Sequence, residues 1–353
     1  MTNELFVLML LTASLIVRNE ENYLADCLKS IQGIVDEIIV VDTGSKDQSI
    51  AIARSSGAKV IHYEWCDDFS AARNVALDHS SGEWILYIDA DEYVEPISRI
   101  YIERLLAESS KIAYTVLLYA KKGFTAYREY RIFKKDSRIR FTGAIYESIY
   151  PSICTMTIDP QAFVGKSDLT IIHAVQSKEE QYNKNLRNLP LIVKQIKKTP
   201  HKSDLLWRLG VTYKALGNKE EAIESWKKAL DIVRQKTDLH ILDSLCYVEL
   251  IRIFYEQGRD ITSLLDEALE CFPYQYLLIW MKAKFLVKQK AFDKAIPLFE
   301  NLMSVTSRCP GGRLAYDKNI FSKESYEPLM LCYVKCAKYR ELKKLSKDKI
   351  VSF

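Results

Sequence analysis

Asp89 and Asp91 stand two residues apart at the end of an apolar run, Trp84-Ile85-Leu86-Tyr87-Ile88. An extended chain turns residues i and i+2 to the same side. Two carboxylates on one side repel unless a cation lies between them. A hard divalent ion that also binds phosphate oxygens meets that need. The pair therefore reads as the holder of a metal–diphosphate unit, of the kind a nucleotide-sugar enzyme requires. The bland alternative is an ordinary strand-end turn, because Asp-x-Asp is common.

The elements that must position this pair are legible as alternating strands and helices. Strands are predicted at 13–17, 37–41, 59–62 and 83–88, and helices at 21–31, 47–56 and 69–79. Such alternation predicts an α/β fold with a parallel sheet covered by helices on both faces. Ligands of such sheets bind beyond the carboxyl ends of the strands. The polar clusters Arg18/Asn19/Glu20, Asp42/Thr43/Gly44 and Asp89/Asp91 all fall at those ends. Their convergence on one rim predicts a single site.

Composition sets the outer limits. At 353 residues, 48% hydrophobic and 27% charged, the chain has enough apolar material for a large core and enough length for two domains. A net charge of +4 gives no argument for nucleic acid as a partner. The eight cysteines are scattered without zinc spacing, which predicts free thiols and a cytoplasmic location. The apolar run from Leu5 to Val17 is preceded by Asn3-Glu4 and ended by Arg18-Asn19-Glu20-Glu21. It lacks the basic start of a signal peptide and the roughly 18 apolar residues of a membrane span, so it reads as a buried strand.

Residues 12 to about 150 resemble a family 2 glycosyltransferase with a GT-A (Rossmann-like) fold. The matching pieces, in order, are Thr12 through Glu20, Ile38 through Asp47, Trp65 through Asn74, and Trp84 through Glu92. The resemblance implies inverting transfer from a nucleoside-diphosphate sugar, usually a UDP-sugar, with Mn2+ or Mg2+. It implies that Ala13 and Ser14 line the nucleoside pocket through their backbone, with Glu20 nearby. Asp42 is implied to accept hydrogen bonds from base or ribose, and Arg73 to lie near the diphosphate. Asp89, with Ala90 beside it, is implied to touch ribose or the metal shell, and Asp91 to ligate the metal. A bound cation would stabilise the charge that gathers on the leaving diphosphate.

Residues 112–150 are predicted to form antiparallel strands. The stretch 121–140 holds eight Lys or Arg, read either as a solvated basic face or as cations for diphosphate or an acidic acceptor. Arg131-Ile132-Phe133 and Gly143-Ala144-Ile145-Tyr146-Glu147 resemble a further stretch of the same subfamily, in which a His usually stands at the Tyr146 position. An inverting displacement needs a general base. Glu147 is the candidate, and its alternative role is to order the loop or pair with an arginine. Asp68 and Glu92 are weaker candidates. His173 ends the apolar run Leu169–Ile172, and the resemblance implies that it completes the metal site with Asp91. Its alternative is a structural histidine.

From Glu180 onward the pattern is helical, and domains are predicted at 1–178 and 179–353. Leu206, Leu209, Gly210, Tyr213, Gly217, Ala222, Trp226 and Ala229 follow the tetratricopeptide template. Ile279, Ala283, Leu286, Ala295 and Phe299 repeat its offsets. A degenerate unit lies between, with Ala268 and Pro273 in phase and Tyr255 and Gly258 out of phase. Such repeats bind peptides or partner subunits, or serve only as a stabilising cap. The whole resembles the enzymes that glycosylate bacteriocin peptides, the glycocin S-glycosyltransferases. This implies hexose transfer, with UDP-glucose as the first choice of donor, to Cys or Ser of a peptide. A thiol acceptor needs less help from a base, since it ionises near about pH 8.5. Homodimerisation through the helical domain is a further expectation. The alternatives are a transferase for cell-surface or lipid-linked saccharide, and a non-catalytic repeat scaffold.

Overall fold

The computed structural model describes residues 10–108, 110–156, 160–305 and 312–350. Residues 5–9 of the N-terminal apolar run and one of the eight cysteines, Cys309, lie outside them. Contacts divide the chain into two units, 1–121 with 127–197 and 122–126 with 198–353.

The first unit is built on one eight-stranded sheet. Its strands are β1 (Leu11–Val17), β2 (Glu37–Asp42), β3 (Lys59–His62), β4 (Trp84–Tyr87), β5 (Glu92–Val94), β6 (Ala113–Tyr119), β7 (Tyr127–Lys134) and β8 (Val164–His173), in the order β3-β2-β1-β4-β7-β6-β8-β5. β1 pairs parallel with β2 and β4, and β2 with β3. β4/β7, β6/β7 and β5/β8 are antiparallel, so the sheet is mixed. The helices are α1 (Leu24–Ile31), α2 (Ser49–Ser55), α3 (Phe69–His79), α4 (Arg99–Leu106), α5 (Tyr150–Met156), α6 (Pro160–Phe163) and α7 (Lys178–Lys198).

Local chemistry explains these elements. Leu24, Cys27, Leu28 and Ile31 of α1 are all buried, at the spacing of one helical face. α3 begins at Phe69 because the Asp68 carboxylate caps it, accepting the Ala71 N–H at 3.1 Å. The Asp68 side chain is therefore spent on the cap, which removes it as a candidate base. Residues 135–149 are not strand, as the sequence suggested. Instead Thr142 and Ser148 exchange backbone N–H···O bonds at 3.1 Å and close a loop between them.

The domain boundary expected at 178/179 falls instead after 197, because α7 packs on the first unit. Its Leu191 and Ile192 are buried, and the Gln195 side chain accepts the Ala144 N–H at 3.3 Å.

The second unit consists of helical hairpins: α8 (Ser203–Ala215) with α9 (Lys219–Val233), α10 (Ser244–Glu256) with α11 (Thr262–Cys271), α12 (Tyr276–Lys288) with α13 (Phe292–Ser304), and α14 (Lys323–Lys335) with α15 (Tyr339–Ile350). Trp226 fills the first hairpin. A methyl group at Gly210 would stand 2.3 Å from its Nε1, so only glycine admits the indole. The first helix of each hairpin ends two residues before a left-handed residue: Gly217, Gly258, Lys290 and Ala337. Gly258 thus has the same turn role as Gly217, although the template placed it out of phase. The loop after Gly258 is two residues longer than the one after Gly217, which shifts everything that follows.

Candidate active site

The chain leaves β1 toward β2 on one side, and β4 lies against β1 on the other. The crevice beyond the carboxyl ends of β1 and β4 is the place where such a sheet binds ligand. A cleft of about 660 Å3 opens there. Residues 16–20 at the end of β1 and just beyond it, 89–91 after β4, the 145–147 loop and one face of α7 line it.

Two loops shape its floor. Asn19 is left-handed, a conformation Asn tolerates, and its Oδ1 accepts the Lys46 N–H at 2.7 Å. The Glu20 N–H donates to Ser49 Oγ at 2.8 Å, which ties the turn after β1 to the start of α2. Burial, then the neighbouring Asp91, pushes the Glu20 carboxyl up to about 7.

Asp89 and Asp91 do not share one side. The Asp89 carbonyl accepts the Glu92 N–H at 3.1 Å, so the chain turns where the sequence suggested an extended run. The two carboxylates therefore diverge. Asp89 is hydrogen-bonded to Arg73 Nη2 and lies 3.8 Å from Arg131 Nη1. Burial opposes its charge, but the two guanidinium groups outweigh this and hold the carboxyl well below the usual range. The expectation that Asp89 ligates metal fails on that pairing. Its side chain, 37% exposed, still faces the cleft beside Ala90 and is free to accept a hydroxyl.

Asp91 turns the other way. Its Oδ2 accepts from Gln176 Nε2 at 2.6 Å and lies 3.3 Å from His173 Nε2 and 3.6 Å from Lys184 Nζ. The β5/β8 pairing sets this meeting, with Glu92 opposite His173 and the Ala174 N–H donating to the Asp91 carbonyl at 2.7 Å. His173 Nδ1 is 2.9 Å from the Ala174 carbonyl, which makes Nδ1 an N–H donor. Its Nε2 faces a carboxylate oxygen of Asp91. The arrangement needs a cation or a proton between them, and it fits a divalent ion. Among the described residues no three His, Cys, Asp or Glu side chains converge as a cage. The set thus suits an ion that completes its shell with water and phosphate oxygens, as Mg2+ commonly does.

Arg73 is the electrostatic centre of the opposite wall. It is 3% exposed, stacks 5.1 Å from the Tyr87 ring centroid, and donates from Nε to Glu147 Oε1 at 3.0 Å. Its Nη1 has no partner among the described residues. Glu147 projects from the closed loop next to Tyr146, whose backbone is left-handed at φ 54°. Strain of this kind costs about 1–3 kcal/mol and marks a residue held for a purpose. Burial pushes the Glu147 carboxyl up, and Arg73 offsets only part of that.

Several expected contacts do not reach the cleft. Ala13 and Ser14 are mid-strand and fully buried, and the Ser14 carbonyl accepts the Ile88 N–H at 3.2 Å. β1 runs on to Val17, so the wall begins at Ile16 instead. The Asp42 carboxylate accepts the Gly44 and Ser45 N–H groups at 3.2 and 3.0 Å, and neighbouring Thr43 lines the cleft in its place. Glu92 is 2% exposed and forms a bidentate pair with Arg131 at 2.8 and 3.0 Å, which removes it as a base. None of the basic residues of 121–140 lines the cleft. Arg128 donates to the Thr115 and Ser167 carbonyls, while Arg138 and Arg140 pair with Asp136 and Asp78.

The sequence reading missed the α7 wall: Glu180, Asn183, Lys184, Arg187 and Asn188. Their spacing of three and four is one polar helical face, continued a turn later by the buried Leu191 and Ile192, a signal present in the sequence. Gln176, Tyr23 and Trp65 were missed as well.

Comparison with known proteins bears directly on this cleft. The family described as glycosyl transferase family 2 matches residues 13–160, and the tetratricopeptide repeat family matches residues 203–235. The N-terminal region is a family 2 glycosyl transferase domain. The SPbeta prophage-derived glycosyltransferase SunS of Bacillus subtilis is 27% identical over 304 residues, covering 81% of this chain and 71% of SunS. A TPR repeat-containing protein of Synechococcus elongatus is 40% identical over 144 residues. That match covers 40% of this chain and 36% of the relative, so the chain spans about a third of that protein. Glucosyl-3-phosphoglycerate synthase from Mycobacterium tuberculosis, in complex with Mn2+ and UDP-glucose, aligns at 16% identity and a TM-score of 0.40 over 52% of this chain and 77% of the synthase. The matched residues include the cleft lining from Ile16 to Glu147, while Gln176 and the α7 wall lie beyond them. Among the described residues, no helix is long and apolar enough to cross a membrane.

Proposed function

We propose that this chain is an inverting, metal-dependent hexosyltransferase acting from a UDP-sugar, UDP-glucose first, onto a Cys or Ser side chain of a bacteriocin-precursor-like peptide. The observation that carries the reading is the presence in one cleft of Asp91, with His173 3.3 Å behind it, and of the Glu147 carboxyl raised by burial. Asp91 and His173 Nε2 would hold Mn2+ or Mg2+, which when bound would supply Lewis-acid stabilisation of the departing diphosphate. Asp89 accepts a ribose or sugar hydroxyl. Glu147 takes the acceptor proton at its carboxylate. Arg73 fixes the Glu147 carboxylate through Nε. Glu20 and Thr43 bound the nucleoside side of the cleft.

The peptide acceptor rests on the tetratricopeptide match, on the resemblance to glycocin S-glycosyltransferases, and on similarity to SunS across most of the chain. The seven described cysteines are free, which suits a reducing cytoplasm.

The test is intact mass spectrometry of a peptide containing Cys and Ser, incubated with enzyme, Mn2+ and a panel of UDP-sugars. A hexose-sized gain that disappears in Asp91→Ala is expected, and fragmentation then locates it on sulfur or oxygen. Asp91-dependent release of UDP without a gain would sink the peptide acceptor. Absence of both would sink the transferase.

A further inference from the structure

We propose that Lys184 of α7 is a mobile second cation of the donor site. Without ligand it neutralises Asp91, and when metal and nucleotide bind it leaves Asp91 for the diphosphate. The inference rests on the glycosyltransferase reading of the cleft and adds to it a residue with two opposed roles.

The geometry carries it. Lys184 Nζ lies 3.6 Å from Asp91 Oδ2, on the same oxygen that faces His173 Nε2 at 3.3 Å. A cation at the His173/Asp91 pair and an ammonium at this distance repel. The two positive charges therefore compete for one carboxylate, and one must withdraw. Lys184 is free to do so: its side chain is 44% exposed in the cleft, on a flexible stem, and among the described residues it makes an ion pair with Asp91 alone. Asp91 is the opposite case, 8% exposed and held by Gln176 at 2.6 Å. So the lysine moves and the carboxylate stays.

Where the ammonium goes follows from the charges around it. The cleft is bordered by Glu20, Asp89, Asp91, Glu147 and Glu180. Glu180 is engaged by Tyr23 at 2.9 Å, Asp89 by Arg73, and Glu147 by Arg73. A nucleoside diphosphate adds more negative charge, and one divalent ion does not cancel that excess. Arg73 and Arg131 are already neutralised by buried carboxylates. Lys184, its neighbour Arg187 three residues along the same face of α7, and Arg18 are the remaining cations that line the cleft. Arg187 lies 5.4 Å over the Phe69 ring and makes no ion pair among the described residues. An ammonium moved from Asp91 onto phosphate exchanges one anionic partner for another while the divalent ion takes its place.

The role predicts effects of opposite sign, which a merely structural lysine would not produce. Wild type, Lys184→Met and Lys184→Arg are compared by isothermal titration with Mn2+ alone, and with UDP at saturating Mn2+. In Lys184→Met, Mn2+ alone binds about three- to tenfold more tightly, because its competitor is gone. UDP in the presence of Mn2+ binds roughly tenfold more weakly, the loss of one charge-assisted hydrogen bond. Lys184→Arg restores most of the UDP affinity. Unchanged UDP affinity, or Mn2+ binding that weakens in Lys184→Met, overturns the proposal while leaving the transferase reading intact. Failure of the wild type to bind UDP with Mn2+ overturns both. UDP binding to wild type that is equally strong with EDTA also overturns the exchange, by assigning the diphosphate to α7 cations alone.

Discussion

Replacing Arg73 by Met tests the electrostatic core of the cleft. The Arg73 side chain is 4% exposed and contacts two carboxylates, Glu147 at 14% and Asp89 at 37% exposure. Removing one partner of a buried ion pair costs about 3–5 kcal/mol, because the remaining charge stays desolvated. Asp89 faces the hydrated cleft and keeps Arg131 at 3.8 Å, so its share is discounted. The expected loss is therefore at the low end, about 3 kcal/mol at pH 7. The pH dependence has a definite sign. In the wild type Asp89 is depressed, so its stabilisation is present above the unfolded carboxyl value and fades as pH falls through the folded one. In Arg73→Met both carboxyls rise, and protonation in the folded state relieves the variant as pH falls. The deficit between the two proteins thus shrinks from pH 7 toward pH 4.5. Urea unfolding at both pH values measures it. Adding Asp89→Asn and Glu147→Gln to Arg73→Met recovers more than half of the loss, since a neutral set carries no unpaired charge. A deficit below 1 kcal/mol at pH 7, or one of equal size at both pH values, refutes the reasoning.

Two further outcomes follow from the same geometry. Glu147→Gln lowers the transfer rate to a Ser acceptor by about 10²–10⁴-fold, and to a Cys acceptor by less, because a thiol ionises unaided. Burial raises Glu147, so the acidic limb of kcat/KM for Ser lies above the ordinary glutamate value and activity falls as pH drops through it. A loss under threefold on Ser would exclude Glu147 as the base. In the helical unit, Lys290 sits at φ 64° where the equivalent turns use Gly217 and Gly258. Lys290→Gly removes about 1–2 kcal/mol of left-handed strain and loses part of that to unfolded-chain entropy, for a net gain of about 0.5–1 kcal/mol in urea unfolding. A drop in stability would contradict the turn assignment.

The periodic features of the molecule were legible in the chain itself. Leu24, Cys27, Leu28 and Ile31 mark α1, and Gly210 with Trp226 marks the first repeat. Each depends only on neighbours within about one or two helical turns, or on a repeat offset, so spacing is sufficient evidence. Residue types at the rim were legible as well, since polar clusters must end strands that point into a crevice. What the sequence by itself could not supply was the partner of each charge. Asp89 and Asp91 look equivalent in the chain, yet one faces Arg73 and the other faces His173 and Lys184. A single turn hydrogen bond, Glu92 N–H to the Asp89 carbonyl, separates their directions. Ala13, Ser14 and Asp42 were misplaced because an apolar run shows that a strand exists, not which of its residues is the last. The cations of α7 read as part of the helical region until Leu191 and Ile192 docked the helix on the sheet. Coulomb energy depends on distance through space, and the chain supplies 50 Lys and Arg against 46 Asp and Glu, any of which could pair by sequence alone. Only packing, which holds Lys184 within 3.6 Å of Asp91 across 93 residues of sequence, decides among them.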